Sequence, residues 1–115
     1  MAYIDGFVAA VSTANKAVYR DHAARMAEIM KRYGATRCVE TWGNDVPEGQ
    51  VTSFSMAVQR KEDETVVFSW VWWPDKATRD DAWKRMMDDQ QMQAEEMPFD
   101  GKRMIFGGFE VLLEA

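Results

Sequence analysis

Apolar side chains occupy both phases of the segment Val66-Val67-Phe68-Ser69-Trp70-Val71-Trp72-Trp73. Even positions carry Val66, Phe68, Trp70 and Trp72, and odd positions carry Val67, Ser69, Val71 and Trp73. A strand with one wet face alternates apolar with polar, so this one reads as a β-strand covered on both sides. Upstream, residues 3–11 read as a first strand. Ser12, Thr13 and Asn15 then offer N-cap oxygens to a helix that runs to Tyr33. Its inward stripe is Tyr19, Ala23, Met26, Ile29 or Met30, and Tyr33, at spacings of three and four. Gly34 suits the helix end, and a second strand is expected over residues 35–43.

Residues 44–63 are the least regular part. Val46-Pro47-Glu48-Gly49 signals a turn, and Thr52 or Ser53 can cap a short helix through Phe54, Ala57 and Val58. Pro74 closes the Trp-rich strand. Asp75 can cap the next helix, which turns Ala82, Trp83, Met86 and Met87 inward, and a Met-rich segment over residues 88–97 extends or follows it. Pro98-Phe99-Asp100-Gly101 is a turn before a last strand over residues 102–113.

The order strand, helix, strand, strand, helix, strand is that of a single ferredoxin-like α+β domain, βαββαβ, spanning residues 1–115. Its four-stranded antiparallel sheet carries both helices on one face. Four strands make a sheet about 19 Å wide, which two helices of about 10 Å cover once. The second face then needs a partner, most simply a second copy of the chain.

Alternation sorts the strand residues into two sets. Ile4, Gly6, Val8, Val39, Thr41, Val67, Ser69, Val71, Ile105, Gly107 and Phe109 are small or aliphatic in the main and are assigned to the helices. Tyr3, Asp5, Phe7, Cys38, Glu40, Trp42, Phe68, Trp70, Trp72, Met104, Phe106, Gly108 and Glu110 are assigned to the open face. A slip of one residue in register exchanges the sets. On the second set, Tyr3, Phe7, Trp42, Phe68, Trp70 and Trp72 are the candidate ligand-binding residues. Asp5, Glu40 and Glu110 are the candidate catalytic residues, because a carboxylate beside an aromatic wall is harder to ionise and can serve as acid or base. The competing reading places these carboxylates at strand ends, hydrated or paired with Arg37 or Arg103.

Composition narrows the function classes. Hydrophobic residues make up 47% and charged residues 29% of the 115 residues, a globular balance, and the net charge of -5 argues against nucleic-acid binding. Cys38 is the only cysteine, so no intrachain disulfide forms; it reads as an inert buried thiol. His22, the only histidine, lies near the inward helix stripe and reads as a boundary or structural residue rather than a haem or metal ligand. The methionines read as adaptable packing. No metal cluster, phosphate-binding glycine loop or hydrolase elbow is present in the sequence, so no cofactor is expected. No signal peptide or membrane-length apolar run is read either, and a cytoplasmic protein without membrane partners is the expectation.

Several segments carry a resemblance: Tyr3-Ile4-Asp5-Gly6-Phe7-Val8, Tyr33-Gly34-Ala35-Thr36-Arg37, Glu40-Thr41-Trp42-Gly43-Asn44-Asp45-Val46-Pro47, residues 61–70 and residues 97–105. Nearly end to end, the chain resembles the YbaA-like family of small bacterial proteins, domain of unknown function 1428. That resemblance implies the dimeric α+β barrel superfamily, in which two ferredoxin-like sheets pack face to face. The superfamily includes cofactor-independent monooxygenases, haem-degrading enzymes, muconolactone isomerases and stress proteins. The resulting expectation is a homodimer that binds a small apolar or aromatic molecule, between sheet and helices or inside the barrel. The alternatives are a non-catalytic structural or stress module and, more distantly, a cofactor-independent monooxygenase or isomerase.

Overall fold

A computed structural model describes all 115 residues. Its elements are β1 (Tyr3–Ser12), α1 (Lys16–Arg32), β2 (Arg37–Glu40), α2 (Phe54–Ala57), β3 (Glu64–Trp73), α3 (Lys76–Met87), α4 (Gln90–Ala94) and β4 (Ile105–Glu110). The sheet order β2-β3-β1-β4, with every neighbouring pair antiparallel, is that of a ferredoxin-like α+β fold. Two short helices cap as the sequence suggests. Ser53 accepts from the Met56 N–H at 3.0 Å, and Asp75 accepts from the Thr78 N–H at 2.7 Å, each satisfying an orphan donor of the first turn. The start of α1 differs. A 3₁₀ turn at Thr13–Asn15 leads into it without any side-chain cap, and Thr13 Oγ1 instead bonds Thr65 Oγ1 at 2.7 Å. Gly34 ends α1 at φ +117°, a backbone state that only glycine enters without strain. The ladder of β2 continues beyond its last residue, since the Thr41 and Gly43 N–H groups donate to the Phe68 and Val66 carbonyls.

Strand pairing corrects the assignment of faces. Asp5 lies opposite Val71, Phe7 opposite Ser69 and Ala9 opposite Val67, while Gly6 lies opposite Trp70. Cys38 and Glu40 face Val71 and Ser69, and Phe106 and Gly108 face Phe7 and Asp5. Directly opposed residues share a face. The face turned to the helices therefore carries Tyr3, Asp5, Phe7, Cys38, Glu40, Phe106, Gly108 and Glu110 together with Val67, Ser69 and Val71, although Phe106, Gly108 and Glu110 on edge strand β4 lie beyond the helices' cover. The open face carries Ile4, Gly6, Val8, Val39, Phe68, Trp70, Trp72, Ile105, Gly107 and Phe109. Only β3 keeps its expected orientation. A Cβ on Gly108 would fall 2.8 Å from the Tyr3 ring, so this glycine makes room for the buried tyrosine on the helix side. Gly6, by contrast, lies under the Phe109 ring on the open face.

The open face is not wholly bare. Val58, just after α2, is fully buried against Val8, Ala10 and Val66, so the irregular segment folds back over one end of the sheet. Phe54 packs edge-on against Phe68, and Phe68 against Trp70, with ring centroids 5.8 and 5.5 Å apart. Beyond that cover, Phe68, Ile105 and Phe109 are 41%, 45% and 61% exposed. The accessible surface is 7814 Å², roughly 1,400 Å² more than a compact monomer of 13.2 kDa would expose.

Arg103 ties this irregular segment to the rest. It donates to both carboxylate oxygens of Glu64 at 2.8 and 2.7 Å, to Asp100 at 3.0 Å and to the Gln59 carbonyl at 2.9 Å. The Arg103 hydrogen bonds hold the Glu64 carboxyl down at about 2, against an ordinary value of 4.5. A depressed carboxylate stabilises the fold above its unfolded value and loses that contribution as pH falls through the folded one. Glu64→Gln should therefore lower the urea midpoint at pH 7 and flatten the loss of stability between pH 4.5 and 2. Parallel pH profiles for the two proteins would show that the pair contributes nothing.

Candidate functional site

Small side chains on the helix-covered face of the sheet leave a void. Ala9, Val67, Ser69 and Val71 floor a cavity of about 410 Å³, walled by Ala23, Met26 and Met30 of α1 and by Trp83 of α3. Met92, Met97, Phe99, Met104 and Phe106 line its far side, from α4, the connection into β4 and β4 itself, and leave it open to solvent there. An apolar concavity of this size with a few converging polar groups has the character of a small-molecule site. Three polar clusters reach into it.

Asp5 is 3% exposed and accepts from four donor groups. The Arg79 guanidinium meets it side-on, through Nε at 3.1 Å and Nη2 at 2.7 Å, while Trp73 Nε1 and Trp83 Nε1 each donate to Oδ2 at 2.9 Å. Arg79 and Trp83 stand four apart on α3, which puts both on one helix face above the strand. A carboxylate survives in this apolar layer because it is fully bonded. The cluster docks α3 on the sheet and presents Asp5 and Arg79 at one end of the cavity.

Tyr19 is buried and donates its hydroxyl to Glu40 Oε1. Burial pushes the Tyr19 phenol up, helped by the adjacent Glu40 charge. Burial of its carboxyl pushes Glu40 up as well, with the Tyr19 hydrogen bond acting against it. Glu40 lies on the edge strand and is exposed by residue area, so the desolvation belongs to its carboxyl at the cavity wall rather than to its backbone. Trp42 and Phe99 pack on the Tyr19 ring at 6.2 and 6.1 Å.

His22, one turn along α1 from Tyr19, is 8% exposed and also lines the cavity. Its Nδ1 lies 2.9 Å from Glu95 Oε1, and Arg25 Nε donates to Glu95 Oε2 at 2.9 Å. The Arg25 hydrogen bond, with a smaller contribution from His22, holds the Glu95 carboxyl below the usual range. Cys38 sits apart from these clusters, and burial pushes its thiol up. No three of His, Cys, Asp and Glu converge as a metal-binding group.

Of the residues singled out in the sequence, the structure brings Asp5, Glu40 and Phe7 into the cavity wall. Tyr3 packs beyond the cavity with Trp73 and Met86, and Trp42 stands behind Tyr19. Phe68, Trp70 and Trp72 lie on the opposite side of the sheet. Glu110, opposite Tyr3 at the end of edge strand β4, is exposed and outside the cavity. Neither Arg37 nor Arg103 pairs with the three candidate carboxylates; Arg79 and Tyr19 take those places. The sequence reasoning singled out neither Arg79 nor Glu95, and it named Trp83 only as an inward helix residue and His22 only as a boundary or structural one. The i,i+4 pair Arg79 and Trp83 was a usable signal, since a strand Asp between Tyr3 and Phe7 needs donors from a covering helix. Nothing local announced Glu95, which lies 73 residues from its histidine.

The comparisons agree with this architecture. A family model described as "Protein of unknown function (DUF1428)" matches residues 2–101. The chain is 53% identical over 116 residues to "Uncharacterized protein YbaA" of Escherichia coli K12, covering 99% of both sequences. The same identity and coverage hold for YbaA of Escherichia coli O157:H7 and of Shigella flexneri. A solved structure of a dimeric ferredoxin-like protein from an uncultured marine organism aligns with a TM-score of 0.60 at 11% identity, over 99% of this chain and 98% of that one. No helix is long and apolar enough to cross a membrane. On the match of residues 2–101 to the family model and the near full-length match to the YbaA proteins, the chain belongs to the DUF1428 family.

Proposed function

We propose that this protein binds a small, flat, apolar or aromatic molecule in the cavity between sheet and helices, as one half of a homodimer. The cavity of about 410 Å³ carries the first part of the reading, because an apolar concavity of that size with a few converging polar groups is the usual form of a small-molecule site. A ligand that binds only the folded state raises its stability by mass action. At a hundredfold excess over its Kd, an aromatic compound of two fused rings should raise the melting temperature by roughly 10 °C. Ala23→Phe, which turns a ring into the void, should abolish that rise while the fold persists. A panel of such compounds producing no shift at millimolar concentration overturns the reading and leaves a dimeric module without a ligand.

The homodimer rests on the open face and on the surface excess. The face offers Ile4, Val39, Trp70, Trp72, Ile105 and Phe109, and its charged strand residues lie at its ends, Arg37 on β2 and the Arg103-bound Glu64 at the start of β3. The excess of roughly 1,400 Å² per chain, about twice that over two copies, falls in the range of large homodimer interfaces rather than standard ones. The solved neighbour is itself described as dimeric.

A further inference from the structure

His22 is a polar cavity residue with an unused ring nitrogen. Its Nδ1 is taken by Glu95, and no protein group bonds Nε2. That nitrogen is also not sealed in, since no buried side-chain nitrogen or oxygen lacks a partner. Glu95 can only accept, because Arg25 keeps it ionised from the other oxygen. The proton between Glu95 and a neutral His22 therefore sits on Nδ1, which leaves the Nε2 lone pair free. Of the other polar cavity groups, Asp5 is taken by Arg79 and two indoles and Glu40 by the Tyr19 hydroxyl, and the Ser69 hydroxyl lies on the cavity floor beside Tyr19.

We infer that His22 Nε2 is the hydrogen-bond acceptor that selects the ligand, and that the cavity takes a hydroxylated aromatic, a phenol or an enol, whose O–H donates to it. Phe99, Phe106, Met97 and Met104 supply the apolar surround for the ring. Glu95 is the positioning residue that sets the tautomer. This inference rests on the small-molecule reading above and adds the class of ligand.

The test compares 2-naphthol with naphthalene by fluorescence titration of the purified protein at pH 8. Wild type should bind 2-naphthol about tenfold more tightly than naphthalene, the factor of one good hydrogen bond. His22→Phe should lose that preference and still bind naphthalene. Its Glu95 keeps Arg25 as a partner, so no charge is orphaned. His22→Asn is the second variant: its amide can donate to Glu95 where Nδ1 does, but it places no atom at Nε2, so it should lose the preference too. Equal affinity of wild type for both compounds, or a preference that survives in both variants, overturns the inference and leaves the apolar cavity reading intact. If neither compound binds any of the proteins, both readings fall together.

Discussion

Asp5→Ala should destabilise the protein by about 3–5 kcal/mol, the cost of breaking a buried, fully bonded ion pair from one side. The substitution leaves the Arg79 guanidinium facing an apolar layer and strips the acceptor from two indole N–H groups, Trp73 and Trp83. Each orphan adds its own desolvation penalty. Asp5→Asn keeps the shape but not the chemistry: one amide oxygen must serve donors on two sides, and the amide nitrogen brings a further donor among them. It should also lose most of the stabilisation. Removing both charged partners, as in Asp5→Leu with Arg79→Met, should recover only the part of the loss that comes from the stranded guanidinium, because the Trp73 and Trp83 N–H groups still lack an acceptor. Urea unfolding of the three variants measures this. A loss below 1 kcal/mol for Asp5→Ala would mean that Arg79 finds water without disturbing α3.

Trp70→Glu should convert a dimer into a monomer. Trp70 is half-buried in the protomer and stands on the open sheet face beside Phe68. A second protomer packed there would enclose the new carboxylate, and enclosing a charge without a partner weakens association by roughly a hundredfold or more. In the monomer the glutamate reaches water, so the fold itself should survive. Light scattering at micromolar concentration should give twice 13.2 kDa for wild type and one chain for the variant. Arg20→Glu, on the exposed side of α1, should leave the mass unchanged. A wild-type mass of one chain would remove the dimer from the proposed function.

Most of the architecture was legible in the chain. Helix and strand periods, the caps at Ser53 and Asp75, and the turn before β4 are local, and local chemistry sets them. The element order then led to the ferredoxin-like sheet, and the alternation within each strand sorted its residues correctly into two sets. The candidate site was only partly legible. Asp5 and Glu40 were found as carboxylates among aromatics, but their neighbours were taken to be Trp70 and Trp72 on the wrong side of the sheet.

The reason is register. Residues 66–73 are apolar in both phases, so β3, the one strand assigned to its true side, gave no pattern against which the other three could be aligned. Strand β1 misleads in a different way. Its helix-covered phase holds the charged residue, Asp5, while its open phase holds Ile4, Gly6 and Val8, the reverse of the usual rule that polar residues face out. That reversal is stable only because Arg79 and two tryptophans from α3 and the end of β3 arrive at the same point. By itself the sequence determined the elements, their order and the two apolar faces of the Trp-rich strand. Only the tertiary structure decided which face encloses the cavity, because the partners of Asp5, His22 and Glu40 are 74, 73 and 21 residues away along the chain.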